Sequence, residues 1–143
     1  MREVLFRGRD EDGVWREGYY CVNPHNPKQN FMTLDWALCQ VVPKAIGQYI
    51  GLNDSEGEGI FEGDILERRS DKKINLYSGR DVHSPWFEVI EIGFYKSCFC
   101  RRIIKQKNYH FGSLPSDWEP LFYADLSKCK IIGNIHDNPE LLQ

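Results

Sequence analysis

The sequence predicts a mainly β protein: a small, strongly curved antiparallel sheet or barrel with one or two short helices. Three observations carry this reading. Apolar and aromatic residues recur at period two in short runs, those runs are bounded by glycine, asparagine and aspartate clusters, and two glycines interrupt apolar rows. At 143 residues, with 41% hydrophobic and 13% aromatic content, the chain is long enough to bury a core without metals or disulfides. A single domain over 1–143 is expected, with a variable insertion at 21–43.

Taken in order, "EVLFR" places Val4 and Phe6 on one side, "RDEDG" supplies a turn, and the aromatic run Val14–Cys21 follows as a second strand. "NPHNPKQN", Asn23–Asn30, holds two prolines and three asparagines and is expected to be an irregular loop. From Phe31 the residues Phe31, Leu34, Leu38 and Val41 fall at helical spacing, which predicts a short helix ending before Pro43. Strands are expected at Ile60–Leu66, Trp86–Arg101 and Cys129–Ile135. In the second of these Ile90, Ile92, Phe94, Cys98 and Cys100 share a face that Lys96 interrupts, and Gly93 is a point where the run breaks or bulges. Phe61, Gly63 and Ile65 share one parity, and Cys129, Ile131, Gly133 and Ile135 another. Both glycines therefore sit on apolar rows, where a missing side chain permits bending or admits a large neighbour. "SDWE" has a capping-box pattern from Ser116 to Glu119 but meets Pro120 at once, and "DNPELL" predicts a closing helical turn with Asn138 as N-cap and Pro139 at its first position.

The stretch "IGQYIGLNDSEGEGIFEGDIL", Ile46–Leu66, gathers Asp54, Glu56, Glu58, Glu62 and Asp64. A calcium loop beginning at Asp54 would place Gly59 sixth, as required, but Ile65 twelfth, where a bidentate acid is needed. Asn53, Asp54, Ser55 and Gly57 suit a solvated turn between two strands, with the carboxylates outside as wetting groups. Five cysteines, at 21, 39, 98, 100 and 129, are an odd number and read as reduced core thiols. Cys98 and Cys100, with His110 ten residues on, lack the second ligand pair of a structural zinc site. The histidines His25, His83, His110 and His136 stand in unrelated contexts, and no nucleophile elbow or phosphate-cradling glycine motif is present. No catalytic residue, metal ligand or cofactor is assigned.

Charge is unevenly spread. Net charge is -3, yet residues 66–107 hold ten Lys or Arg against five acids. Arg68, Arg69, Lys72, Lys73, Arg101, Arg102, Lys105 and Lys107, with Arg80 and interleaved aromatic rings, have the composition of a nucleic-acid groove, set against solvated connections at strand ends. The charged N-terminus contains neither a signal-peptide core nor a membrane span, so a cytoplasmic protein with no membrane partner is expected.

"REVLFRGRD", "IGQYIGLNDSEGEGIFEGDIL" and "KIIGNIHDNPELL", in this order, resemble the YopX family of bacteriophage and prophage proteins. The resemblance implies a small, mainly β protein of the bacterial host cytoplasm, and it transfers no catalytic residue. The leading expectation is a non-enzymatic phage accessory protein, an interaction or regulatory module working through self-association or with another phage or host protein. The alternatives are a nucleic-acid-binding protein using 66–107, and a metal-dependent hydrolase using Glu62 and Asp64 or the cysteines.

Overall fold

The computed structural model describes residues 4–34, 37–70, 73–75, 81–83, 85–107, 117–121 and 125–143, excepting the side chains of Leu34 and of residues 73–75 and 81–83. Two compact units separate: Met1–Leu52 with Gly59–Glu62, and Asn53–Glu58 with Gly63–Gln143.

In the first unit, β1 (Phe6–Arg9) turns back into β2 (Trp15–Asn23), which continues through β3 (Asn26–Leu34) and β4 (Ala37–Val41). A 3-10 turn at Pro43–Ala45 leads to β5 (Ile46–Asn53), which lies against the other side of β1, and β6 (Gly59–Phe61) closes the order β4-β3-β2-β1-β5-β6. Met32, Val41, Ala45, Ile50, Ile60 and Phe61 are its buried apolar side chains. Each large one contributes about 1.5–3 kcal/mol by leaving water.

In the second unit, β7 (Asp64–Ser70) is followed by the short ribbon of β8 (Lys73–Asn75) and β9 (Asp81–His83), then by the hairpin of β10 (Trp86–Tyr95) and β11 (Cys98–Lys107). With β12 (Glu119–Pro120) and β13 (Lys130–Asn134) the main sheet has the order β12-β11-β10-β7-β13. Residues 88–92 of β10 are all buried, so this strand is covered on both faces rather than alternating. Ile65, Leu66, Ile90, Ile92, Cys100 and Cys129 form the centre of its core.

The expected class is therefore observed: mainly β, antiparallel pairing, and helical turns only at Pro43–Ala45, Leu126–Lys128 and Pro139–Leu142 among the described elements. The barrel alternative is not, because both large sheets are open, ending on β4 and β6 and on β12 and β13.

Several local expectations are overturned. The helix over Phe31–Val41 is a hairpin, in which Phe31 faces Gln40 across the ladder, Thr33 faces Leu38 and Asn30 faces Val41. Val41 is buried while Leu38 is 67% exposed, so the helical stripe is split between two faces of a sheet. Tertiary pairing overrides local spacing here. The loop at Asn23–Asn30 shrinks to the Pro24–His25 connection, because Asn23 pairs with Asn26. Pro27 falls between the paired Asn26 and Asn30, beside a register shift, so its missing N–H removes no ladder bond. Asn23 stabilises the connection by accepting the His25 amide at 2.9 Å and donating to Gln29 at 2.7 Å.

Trp86–Arg101 is two strands. The reversal falls on Lys96 and Ser97, both at positive φ (47° and 67°), the geometry that matches strand twist in a two-residue hairpin. Neither residue is a glycine or asparagine, so the sequence carries no turn signal. The edge-on contact of Phe94 with Phe99, 5.4 Å between centroids, holds the stem together. Gly93 neither breaks nor bulges the run. Its register shift lies at Val89/Ile90, and Gly93 instead admits the ring of Trp118, whose Cη2 lies 2.5 Å from where a Cβ would stand. Of the SDWE capping box, Ser116 lies outside the described residues and Glu119 enters β12, paired with Arg101.

The closing turn forms at Pro139–Leu142, but the Asn138 side chain does not cap it. It occupies the space left by the missing side chain of Gly133, where β13 shifts register. Ile60–Leu66 is likewise interrupted, by a turn at Glu62–Gly63. Gly63 adopts φ +82°, its N–H donates to the Ile92 carbonyl at 2.8 Å, and its own carbonyl accepts from Ile135 at 2.9 Å. A Cβ there would lie 3.3 Å from Ile135. Gly63→Ala is expected to lower stability by about 1–2 kcal/mol through left-handed strain alone, read as a lower urea midpoint with an unchanged slope.

Candidate functional site

Two segments were candidates: the acidic stretch 46–66 and the basic stretch 66–107. The acidic stretch is organised by Asp54, which is 7% exposed and not a wetting group. Its Oδ1 accepts the amides of Glu56 (2.8 Å) and Glu58 (3.0 Å), and its Oδ2 accepts the amide of Ile131 (3.1 Å), 77 residues away. Ser55 donates to the Cys129 carbonyl at 2.8 Å, and Lys130 meets Glu56 at 2.7 Å. Burial pushes the Asp54 carboxyl up, but the amides of Ile131, Glu56 and Glu58 outweigh it and hold it below its ordinary value.

The same turn occurs earlier in the chain. In "DEDGV" the Asp10 Oδ1 accepts the Val14 amide at 2.8 Å, Gly13 (φ +84°) donates to the Asp10 carbonyl, and Asp10 N donates to the Val14 carbonyl. In "DSEGE" Asp54, Gly57 (φ +88°) and Glu58 repeat all three bonds. An aspartate three residues before a glycine is the legible signal for this turn, and sequence reading for ligands passed over it.

The other acids do not assemble into a centre. Asp64 is buried at the start of β7 in the second unit, whereas Glu62 belongs to the first, where it accepts the Gln48 amide at 2.9 Å. Burial raises the Glu62 carboxyl above its ordinary value, partly opposed by that amide. Among the described residues no three His, Cys, Asp or Glu are grouped to hold a metal ion. The Cys98 and Cys100 sulfurs share a strand face and lie 3.5 Å apart, while His110 lies outside the described residues. Burial pushes the Cys100 thiol up and the Cys129 thiol up to about 11, so both are neutral at physiological pH. His25 lies in the exposed β2–β3 connection and His136 in the turn after β13.

The described arginines of the basic stretch face carboxylates. Arg68 on β7 faces Glu88 on β10 at 3.8 Å, Arg102 on β11 holds Glu91 on β10, and Arg101 faces Glu119 on β12 at 3.5 Å. All three are directly opposite pairs in the ladder. Glu88 and Glu91 are 2% and 7% exposed, so two of the arginines satisfy buried carboxylates. Arg69 grips Glu67 with two nitrogens, at 2.6 and 2.8 Å. Arg68 and Arg102 also stack over Trp86 and Trp118, at 5.2 and 5.1 Å. Lys105 and Lys107 are exposed on β11. Lys72 and Arg80 lie outside the described residues, and of Lys73 only the backbone is described, in β8.

Apolar side chains stand in water instead. Tyr19 and Leu38 are 65% and 67% exposed in the first unit, and Phe94 and Tyr95 are 55% and 44% exposed at the tip of the β10–β11 hairpin. Among the described residues no helix is long and apolar enough to cross a membrane.

A family model described as "YopX protein" matches residues 9–143. The chain belongs to the YopX family. Across the full length of both chains it is also similar in structure to protein EF1440 from Enterococcus faecalis, with a TM-score of 0.51 and 23% identity, a likeness of fold. No curated protein matches it. The second and third of the YopX-like segments quoted from the sequence meet within the second unit: the Asp54 turn bonds Cys129 and Ile131, and Gly63 bonds Ile135. Asn134 completes "IGNIHDNPELL" by accepting the His136 and Asp137 amides at 2.9 and 3.0 Å.

Two outcomes are expected. Asp54→Ala leaves three amides without an acceptor and lowers stability by about 3 kcal/mol, measured by denaturant unfolding. Because the folded value is depressed, this contribution is full above the ordinary 3.8 and is lost as pH falls through the lower folded value. Glu62→Gln keeps an acceptor for Gln48 and removes a half-buried charge, so the variant equals or exceeds the wild type in stability at neutral pH. The Glu62 value is raised, so that difference grows as pH rises through it and vanishes below the ordinary 4.5. Unfolding curves at several pH values check both signs.

Proposed function

We propose that this YopX-family chain is a phage or prophage accessory protein of the host cytoplasm that acts without catalysis, as an interaction or regulatory module through self-association. One observation carries the reading: the described arginines of the basic stretch and the acids Asp54 and Glu62 are committed to structure, while large apolar side chains face water. Arg68, Arg69, Arg101 and Arg102 each hold a carboxylate, and Asp54 and Glu62 accept backbone amides. A nucleic-acid phosphate at these arginines would have to displace a carboxylate, in two cases a buried one. An ion at Asp54 would compete with three amides. Tyr19, Leu38, Phe94 and Tyr95 stand in the solvent, where an interacting surface needs them.

Sedimentation velocity on the full chain across the micromolar range is expected to show concentration-dependent association, with no salt-dependent retention of DNA or RNA in filter binding. Strictly monomeric behaviour counts against self-association. Retention that falls steeply with salt, and is reduced by Lys105→Ala with Lys107→Ala, would favour the nucleic-acid alternative.

A further inference from the structure

We infer that β4 is a self-pairing edge, through which a second copy of this chain adds antiparallel to the first sheet. The inference rests on the self-association reading and names its surface. Sheet edges ordinarily carry devices against pairing, and the other ends of the two large sheets have them. β12 is two residues long and ends in Pro120, β13 begins with Lys130 and shifts register before Gly133, and β6 is only three residues long with Ile60 and Phe61 buried.

β4 has none of these. Its sequence "ALCQV" contains no charge and no proline, and it pairs with β3 over five consecutive residues without a shift. Its outward side carries aromatic, aliphatic and uncharged polar residues to the rim. Tyr19, Thr33 and Leu38 stand side by side across β2, β3 and β4, and Cys21, Phe31 and Gln40 form the neighbouring row.

The absence of charge selects the occupant. In an isologous antiparallel pair each side chain meets residues of its own strand, so a charge near the centre of the edge would lie across or diagonally across from its own copy. An edge without charge escapes this penalty. Pairing centred on Cys39 sets Leu38 against Gln40 of the second copy and extends the exposed apolar rows of one sheet into the other. Both edges are consumed, so assembly stops at two copies rather than continuing as a fibre.

The test compares wild type, L38K, L38E and an equimolar mixture of the two variants by sedimentation velocity. Leu38 is 67% exposed, so neither substitution disturbs the core, and unchanged circular dichroism and melting temperature verify it. The expected result is a wild-type dimer, association weaker by at least about tenfold for each variant alone, and a dimer restored in the mixture. A wild-type dimer that L38K leaves intact, or a mixture that stays monomeric, overturns this inference and leaves self-association standing. A monomeric wild type overturns both.

Discussion

The structure of the second unit depends on one carboxylate. Asp54 is removed from water while its two oxygens accept three amides, two from its own turn and one from Ile131 at the other end of the sequence. An ionised carboxylate is stable in such a place only when its lone pairs are filled by donors, and backbone amides fill them without ordering long side chains. The arrangement fixes the turn's shape and its position against β13 together, and Ser55 and Lys130 add to the same junction.

The rest of the polar chemistry follows the same economy of donors and acceptors. Asp10 repeats the turn of Asp54 in the first unit, where the Val14 amide, and then Arg16, hold its carboxyl below the ordinary range against burial. Glu88 and Glu91, buried in a strand covered on both faces, are matched by arginines directly across the ladder. Within the basic stretch, Arg68 and Arg102 are the counterparts of these two buried acids.

The family resemblance acquires a physical meaning from these contacts. Two of its segments, far apart in sequence, are bonded to each other in space through Asp54 and Gly63. In this chain they hold the second unit together through bonds to the backbone.

Much of this was legible in the sequence. Alternation and turn chemistry determine the strands near 6–9, 15–23 and 130–134, and the pairing of proline with asparagine determines the closing turn at Pro139. Those signals are local, since they report a backbone preference within a few residues. The helix read into Phe31–Val41 failed because a 3.6-residue stripe and a hairpin both fit four apolar residues, and only the ladder with β2 separates them. The reversal at Lys96–Ser97 failed because strand twist imposes a left-handed backbone there without a residue that advertises it. The cross-strand partners of the arginines could not be read at all. Which glutamate an arginine faces depends on cross-strand register, and register is set when distant strands pack, so only the tertiary structure decided those pairs.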